Sequence, residues 1–111
     1  MALTKDIEGT YAVESFGSGG DYSHVKLHFR NVEGETVNFN TRVANQIQGT
    51  LNLKEGKLEG LLISTMMMGP EHLMALEAFL TGGSTEGLSF STTATGLSLE
   101  YKGSTLVLKK E

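Results

Sequence analysis

The sequence predicts an α+β fold in which an antiparallel, β-rich partial barrel of about eight strands carries one short helix packed across it. Turn signals containing glycine recur at short intervals along the 111 residues, and apolar and polar residues alternate in most of the segments between them. A single segment shows the apolar spacing of an amphipathic helix. So many strands in a short chain would leave exposed edges unless the sheet curled, and the helix needs an apolar surface to pack on.

Five strands are predicted before the helix. They cover residues 10–16, 23–30, 36–43, 46–54 and 58–63. The second alternates most clearly, which places Val25, Leu27 and Phe29 on a buried face. Its exposed face carries His24, Lys26, His28 and Arg30. The fifth strand, Leu58 to Ile63, is more continuously apolar, which predicts a strand that is covered on both faces or that passes beneath the helix.

One helix is predicted between Gly69-Pro70 and Gly82-Gly83. Pro70 suits the first helical position, and Glu71 complements the positive end of the helix dipole. The glycine pair predicts the end of the helix. One flank is apolar at helical spacing, through Leu73, Leu76, Phe79 and Leu80. Three more strands are predicted at residues 88–92, 97–101 and 105–109, so the predicted order is five strands, the helix and three strands.

Composition limits the classes of protein and the compartment. A chain of this length predicts one domain, residues 1–111. Nine basic and thirteen acidic residues give a net charge of -4, and the basic residues are scattered, which argues against nucleic-acid binding. Cysteine is absent, which excludes disulfides and thiolate sites and favours a reducing compartment. Neither a signal peptide nor a transmembrane segment is predicted, so we expect a cytoplasmic protein whose export would be unconventional.

No catalytic, cofactor or metal site is predicted. His24 and His28 share a strand face, but their spacing of roughly 13 Å is too large for both to bind one metal ion. His72 is predicted to be a partly buried structural residue of the helix. The glycine-rich run from Gly17 to Gly20 lacks the lysine and the following helix of a phosphate-binding loop. Acidic residues are numerous, yet none is singled out as a pair, so an enzyme with a carboxylate or histidine site remains one alternative.

Three surfaces are candidates for partner binding. The first is the Met66-Met67-Met68 run, because thioether side chains adapt easily to a partner, although at least one of the three is expected to fill core space. The second is the loop of residues 17–22, which includes Tyr22. The third is the exposed strand face with its two histidines, Lys26 and Arg30. Ile47-Gln48 is similar to the start of a calmodulin-binding motif, but the basic residues of that motif are missing, which argues against calmodulin.

Several landmarks occur together along the chain. They are Ile7-Glu8-Gly9-Thr10-Tyr11, Val43-Ala44-Asn45, Ser64-Thr65-Met66-Met67-Met68-Gly69-Pro70, Glu77-Ala78-Phe79-Leu80 and Leu97-Ser98-Leu99. In order and spacing they resemble the META domain family of HslJ-like proteins over almost the whole chain. The short form is most similar to the META proteins of trypanosomatid (Leishmania-type) parasites, which are abundant in the infective metacyclic stage. Bacterial members often carry cysteines in the segments matching Ala44 and Gly69, and both are absent here.

The resemblance implies that the protein has no catalytic residues. It also implies an association with virulence, motility or secretion. We therefore predict a non-enzymatic META-domain protein associated with virulence of the infective stage, which acts through an unknown protein or peptide partner in secretion or stress adaptation. It is expected to be a monomer or a weak oligomer. One alternative is a small-molecule carrier that uses the barrel interior, and the other is the enzyme considered above.

Overall fold

The computed structural model describes residues 5–17 and 20–111, and this part of the chain contains nine strands and one α-helix. The strands are β1 (Gly9–Phe16), β2 (Lys26–Glu33), β3 (Thr36–Arg42), β4 (Gln46–Lys54), β5 (Lys57–Glu59), β6 (Leu62–Ser64), β7 (Leu88–Thr92), β8 (Gly96–Tyr101) and β9 (Ser104–Lys110), and helix α1 covers Glu71–Glu86. A short 3-10 helix, Lys5–Ile7, precedes β1. Ser18 and Gly19, in the loop predicted after the first strand, lie outside the described residues.

Eight of the strands form a closed antiparallel barrel, so the prediction of a partial barrel was wrong. The strands are hydrogen-bonded in the order β3-β2-β1-β9-β8-β7-β5-β4, and β4 pairs back onto β3. That last pairing runs the whole length of β3, from Thr36 opposite Asn52 to Arg42 opposite Gln46. Closure pairs the edges that an open sheet would expose. Alternation along each strand could not reveal it, because alternation specifies faces and not neighbours.

The fifth predicted strand is two strands, so six strands precede the helix. β5 and β6 pair with successive parts of the same edge of β4, and Gly60 lies between them. A Cβ atom at Gly60 would lie 2.3 Å from the carbonyl oxygen of Thr50, so only glycine allows the chain to pass this close. Leu61 and Ile63 point to solvent, so the segment is not covered on both faces. The other predicted arrangement is found, because helix α1 contacts both β5 and β6. A run of apolar residues does not show by itself which of them finds a packing partner.

Helix α1 packs against the barrel, and the prediction of its apolar flank is confirmed. Its core-facing residues are buried, namely Leu73, Leu76, Phe79 and Leu80. The helix begins at Glu71, directly after Pro70, and continues through Gly82-Gly83 to Glu86, so the glycine pair does not end it as predicted. It is capped instead by Gly87, the next residue, whose φ of 111° suits glycine and whose N–H donates to the carbonyl of Gly83.

Side chains from the strands and the helix fill the barrel interior. The predicted inward face of β2 is confirmed, since Leu27 and Phe29 are completely buried. The ring of Phe29 lies between those of Tyr11 and Phe39, with centroid distances of 5.4 Å and 5.2 Å. The space in which the carrier alternative would place a ligand is thus occupied by core side chains.

We expect the folded protein to lose stability at alkaline pH because of Tyr11. Its hydroxyl donates a 2.8 Å hydrogen bond to the carbonyl of Ile7, and burial raises the pKa of the phenol above its ordinary value of 10.0. The folded state therefore holds this proton more tightly than the unfolded chain does. The stabilisation that this proton provides is complete below the pKa of the phenol in the unfolded chain. It is lost as pH rises through the pKa of the phenol in the folded protein. Urea unfolding across this range should show a shallower alkaline decline for Tyr11→Phe, and parallel pH profiles would contradict the prediction.

Candidate partner-binding surface

A buried carboxylate connects helix α1 to the loop between β3 and β4. The side chain of Glu77 is only 6% exposed. Its Oε2 accepts hydrogen bonds from the backbone N–H groups of Ala44 at 2.9 Å and of Asn45 at 2.6 Å, and its Oε1 accepts one from the amide of Asn45 at 2.8 Å. Three donors thus converge on one carboxylate, which compensates for its removal from water.

Asn45 extends this connection to the chain that follows β6. Its Oδ1 accepts hydrogen bonds from the hydroxyl of Thr65 at 2.9 Å and from the backbone N–H of Met67 at 2.7 Å. Its Nδ2 also donates to the carbonyl of Met67 at 3.0 Å. The Asn45 amide therefore uses both its oxygen and its nitrogen twice, and such a satisfied network specifies one backbone conformation for residues 65–67.

The anchored chain presents apolar side chains to solvent. The exposed fractions are 76% for Leu61, 67% for Ile63, 95% for Met66, 53% for Met67 and 91% for Met68. We call residues 61–68 the apolar segment. The expectation that at least one methionine fills core space was wrong, because Asn45 and Glu77 supply the buried contacts of this region. Exposed apolar residues are usually scattered singly, so five within eight residues form an unusually dense exposed apolar patch.

The predicted basic strand face lies on the outside of β2. The ammonium group of Lys26 pairs with the carboxylate of Glu111. Arg30 is exposed and donates to Nδ1 of His28 at 3.4 Å. Because Nδ1 acts as an acceptor there, the hydroxyl of Thr10, 2.9 Å away, also donates to it. β3 and β4 separate this face from β6, a distance of about 14 Å around the barrel wall, so the two surfaces are distinct.

Of the two candidate binding residues that precede β2, His24 lies on the surface and Tyr22 is buried. His24 is exposed, and its Nε2 donates to the carbonyl of Val43 at 3.4 Å. Tyr22 is only 7% exposed, so it is not the surface residue that the sequence predicted. Its hydroxyl donates to the carbonyl of His72 at 3.3 Å, and its ring packs against the ring of Phe16. The sequence pattern around Tyr22, an aromatic residue next to a glycine-rich loop, did not indicate that this residue packs against the helix.

An open cleft of about 800 Å³ lies between helix α1, the end of β1 and the turn between β8 and β9. Its lining includes Phe16, Tyr22, His72, Ala78, Phe79 and Tyr101. The prediction that His72 is partly buried is confirmed, and its Nε2 donates to the carbonyl of Asp21 at 3.0 Å. Within residues 5–17 and 20–111, no three His, Cys, Asp or Glu side chains are grouped so that they could hold a metal ion.

Sequence reasoning missed the buried polar network, although every residue of the network stands in one of the landmark segments. Glu77 lies four residues after Leu73 and three before Leu80, which places an acidic residue on the apolar flank of the helix. A carboxylate at such a position needs donors from another element. The sequence could therefore have signalled a buried Glu77, but it could not identify Asn45 as its partner.

The fold and the site define a closed β-barrel domain, packed against one helix, with an anchored and exposed apolar segment. The chain belongs to the META domain family, whose sequence model matches residues 3–111. A protein whose structure was determined by NMR is similar to it, with a TM-score of 0.73 and 23% identity, over 97% of this chain and 95% of that chain. A likeness at this identity shows the fold alone. None of the curated proteins matches the sequence.

Ala44 and Gly69, which stand where bacterial members of the family often carry cysteines, lie side by side. A Cβ atom at Gly69 would be 2.6 Å from the Cβ of Ala44. The start of the helix therefore lies directly against the loop between β3 and β4. In the described part of the chain, no helix combines the length and the apolar character needed to cross a membrane.

Proposed function

We propose that this META-domain protein is a non-enzymatic binding module whose apolar segment docks on an apolar surface of a protein or peptide partner. The observation that carries the proposal is the group of five large, exposed apolar side chains between Leu61 and Met68. Burial of such side chains releases about 1.5–3 kcal/mol each, so a partner that covered two or three of them would gain substantial affinity.

The apolar segment combines an ordered backbone with adaptable side chains. The hydrogen bonds of Asn45 with Thr65 and Met67 hold the main chain, so less backbone freedom is lost when a partner binds. Methionine side chains are unbranched and polarizable, and they can repack against surfaces of different shapes. This combination suits recognition of apolar protein segments.

The buried network also favours binding over an enzyme built on these groups. Glu77 is the carboxylate that burial would otherwise single out for acid–base chemistry. Both of its oxygens accept hydrogen bonds within the protein, and it lies away from solvent. Its arrangement supports a structural role, in which it holds the apolar segment in place.

A random peptide library displayed on phage tests the proposal, since the selection itself supplies the ligands. Selected peptides should be apolar and should bind the wild-type protein saturably. The double variant Met66→Ser/Met68→Ser should bind them at least about 10-fold more weakly, because two apolar contacts are lost. The matched control Thr92→Ser/Ala94→Ser changes one exposed residue at the end of β7 and one in the turn that follows, and it should bind as the wild type does. Equal affinity of both double variants, or no saturable peptide, would refute the proposal.

Oxidation provides an independent test of the exposed methionines. The thioether sulfur takes an oxygen atom from hydrogen peroxide, which is reduced to water, and the resulting sulfoxide is polar. Met66 and Met68 should react first and the half-buried Met74 more slowly. Peptide mapping by mass spectrometry would give this order, and the oxidised protein should lose peptide binding as the double serine variant does. Fastest oxidation of Met74 would contradict the assigned exposures.

The closer resemblance to trypanosomatid META proteins extends the proposal to a cytoplasmic protein that supports virulence through secretion or stress adaptation. This extension stays a prediction, supported by the landmark residues and by membership of the family. It predicts that parasites carrying only Met66→Ser/Met68→Ser are less infective than parasites carrying Thr92→Ser/Ala94→Ser. Protein levels should be equal in the two lines, and equal infectivity would count against the extension.

A further inference from the structure

The outer faces of β3 and β4 form a polar surface between the basic face of β2 and the apolar segment. Within β4, Gln46 and Gln48 alternate with buried residues and are exposed. Gln48 lies opposite Asn40 of β3 on one side and opposite Ile63 of β6 on the other. The side chains of directly opposite residues lie on the same face of a sheet. The exposed side chain of Ile63 is therefore part of a continuous surface that extends across β4 to β3.

Arg42, the last residue of β3, lies on this surface. It follows Asn40 by two residues, so it shares the outer face of the strand, and it is exposed. Its partner across the sheet is Gln46. Its guanidinium group forms no hydrogen bond or ion pair with any residue in the described ranges 5–17 and 20–111. The planar set of N–H donors on this group is therefore available to a ligand on the same face.

The chain segments that build this surface carry no acidic residue. Residues 36–54 include β3, β4 and the loop between them, and residues 60–70 include β6 and the apolar segment. Neither range contains Asp or Glu, although the chain has thirteen acidic residues and a net charge of -4. Their charged residues are Arg42 and Lys54. Glu77 reaches the loop from α1, but its carboxylate is buried and fully hydrogen-bonded. Charge complementarity therefore favours an acidic ligand on this surface.

We infer that the partner of the apolar segment is an extended peptide that carries a carboxylate side chain about three or four residues from an apolar one. This inference rests on the function proposed above and adds the chemical class of the partner. The apolar side chain packs beside Ile63, and the carboxylate accepts two hydrogen bonds from the guanidinium group of Arg42. Two strand spacings across the sheet and two residues along β3 separate these positions by roughly 12 Å, which an extended peptide covers in about four residues. The amides of Gln46 and Gln48 lie between them and can bond the peptide backbone.

Parallel selections from the random peptide library on the wild type, Arg42→Glu and Lys54→Glu test this inference. Peptides selected on the wild type should be enriched in Asp or Glu at the stated spacing from an apolar residue, although the net charge of the protein repels acidic peptides. Arg42→Glu should select Lys or Arg at that position instead. Lys54→Glu makes the same change of charge at the other end of β4 and should select acidic peptides as the wild type does. Apolar peptides without acidic enrichment, selected equally by all three proteins, would overturn the inference and leave the proposed function standing.

Fluorescence anisotropy with one selected peptide, and with an analogue in which an amide replaces its carboxylate, measures the contact itself. At low salt the analogue should bind the wild type about 5-fold more weakly, and the difference should shrink at higher ionic strength, because the ion pair is open to solvent. Arg42→Gln should bind the two peptides equally. Met66→Ser/Met68→Ser should weaken both by the same factor, since it removes apolar contacts alone. If the analogue lost as much affinity for Arg42→Gln as for the wild type, the pairing with Arg42 would be refuted.

Discussion

Replacement of Glu77 by Ala is expected to lower the free energy of unfolding by about 4 kcal/mol, because it leaves three buried donors without an acceptor. These donors are the backbone N–H groups of Ala44 and Asn45 and the side-chain amide of Asn45. Asn45 also holds Thr65 and Met67, so the conformation of the apolar segment should loosen as well. Hydrogen exchange at Met67 should become faster in this variant.

Glu77→Gln is expected to cost about 2 kcal/mol, although it keeps the shape of the side chain. An amide offers one acceptor oxygen, whereas the carboxylate uses both oxygens as acceptors. The new NH₂ group must face either the two backbone N–H groups or the amide of Asn45. A rotation of the Asn45 amide would relieve the second arrangement, but it would break the bonds to Thr65 and Met67.

Glu71→Gln is the matched control, because it makes the same chemical change on an exposed residue in the first turn of the same helix. It should change stability by no more than about 0.5–1 kcal/mol, the usual size of a helix-dipole contribution at an exposed site. Urea unfolding followed by circular dichroism gives the three free energies. If both glutamine variants had the same midpoint as the wild type, the structural role of Glu77 would be wrong.

The two neighbouring glycines of α1 are expected to respond in opposite directions to alanine. At Gly82 a Cβ atom meets only the ring of Tyr101 at 3.9 Å, an ordinary contact. Gly82→Ala should therefore stabilise the protein by up to about 1 kcal/mol through helix propensity. At Gly83 the Cβ atom would lie 2.3 Å from a methyl carbon of Leu88 and 3.2 Å from the ring of Tyr101. Gly83→Ala should destabilise by about 2 kcal/mol, because the core is already filled there.

Thermal and urea unfolding of these two variants measure a difference of about 3 kcal/mol between substitutions one residue apart. Each variant is the control for the other, since the helix propensities change equally. A stabilising Gly83→Ala would mean that the helix can move away from Leu88, and the close packing of α1 on β7 would then be wrong.

These glycines also show why the end of the helix was misjudged. In a sequence, a glycine pair after an amphipathic run predicts a stop. Here Gly83 is required for close packing on Leu88, and the helix continues to Glu86. The reason for the glycine lies in a strand that follows it in the chain, and this contact is invisible to local pattern analysis.

The candidate site was predicted in part, for a similar reason. The methionine run stands out in the sequence because its composition is unusual, and its three side chains are exposed. Leu61 and Ile63 belong to the same exposed surface as the methionines. This could be seen only from the pairing of β6 with β4, which turns alternate residues to solvent. The burial of Tyr22 likewise depended on contacts with Phe16 and His72, which come from other parts of the chain.

The local features of this protein follow from its amino-acid order alone: alternating strands, one amphipathic helix and turns at glycine, together with the absence of thiol chemistry. Period and composition act within a few residues, so they specify which face of an element is apolar. The closure of the barrel through β3 and β4 and the contact of Glu77 with Asn45 became visible only in the folded protein. Those outcomes depend on contacts between residues distant in the chain, whose free energies arise from packing and from hydrogen bonds formed away from water.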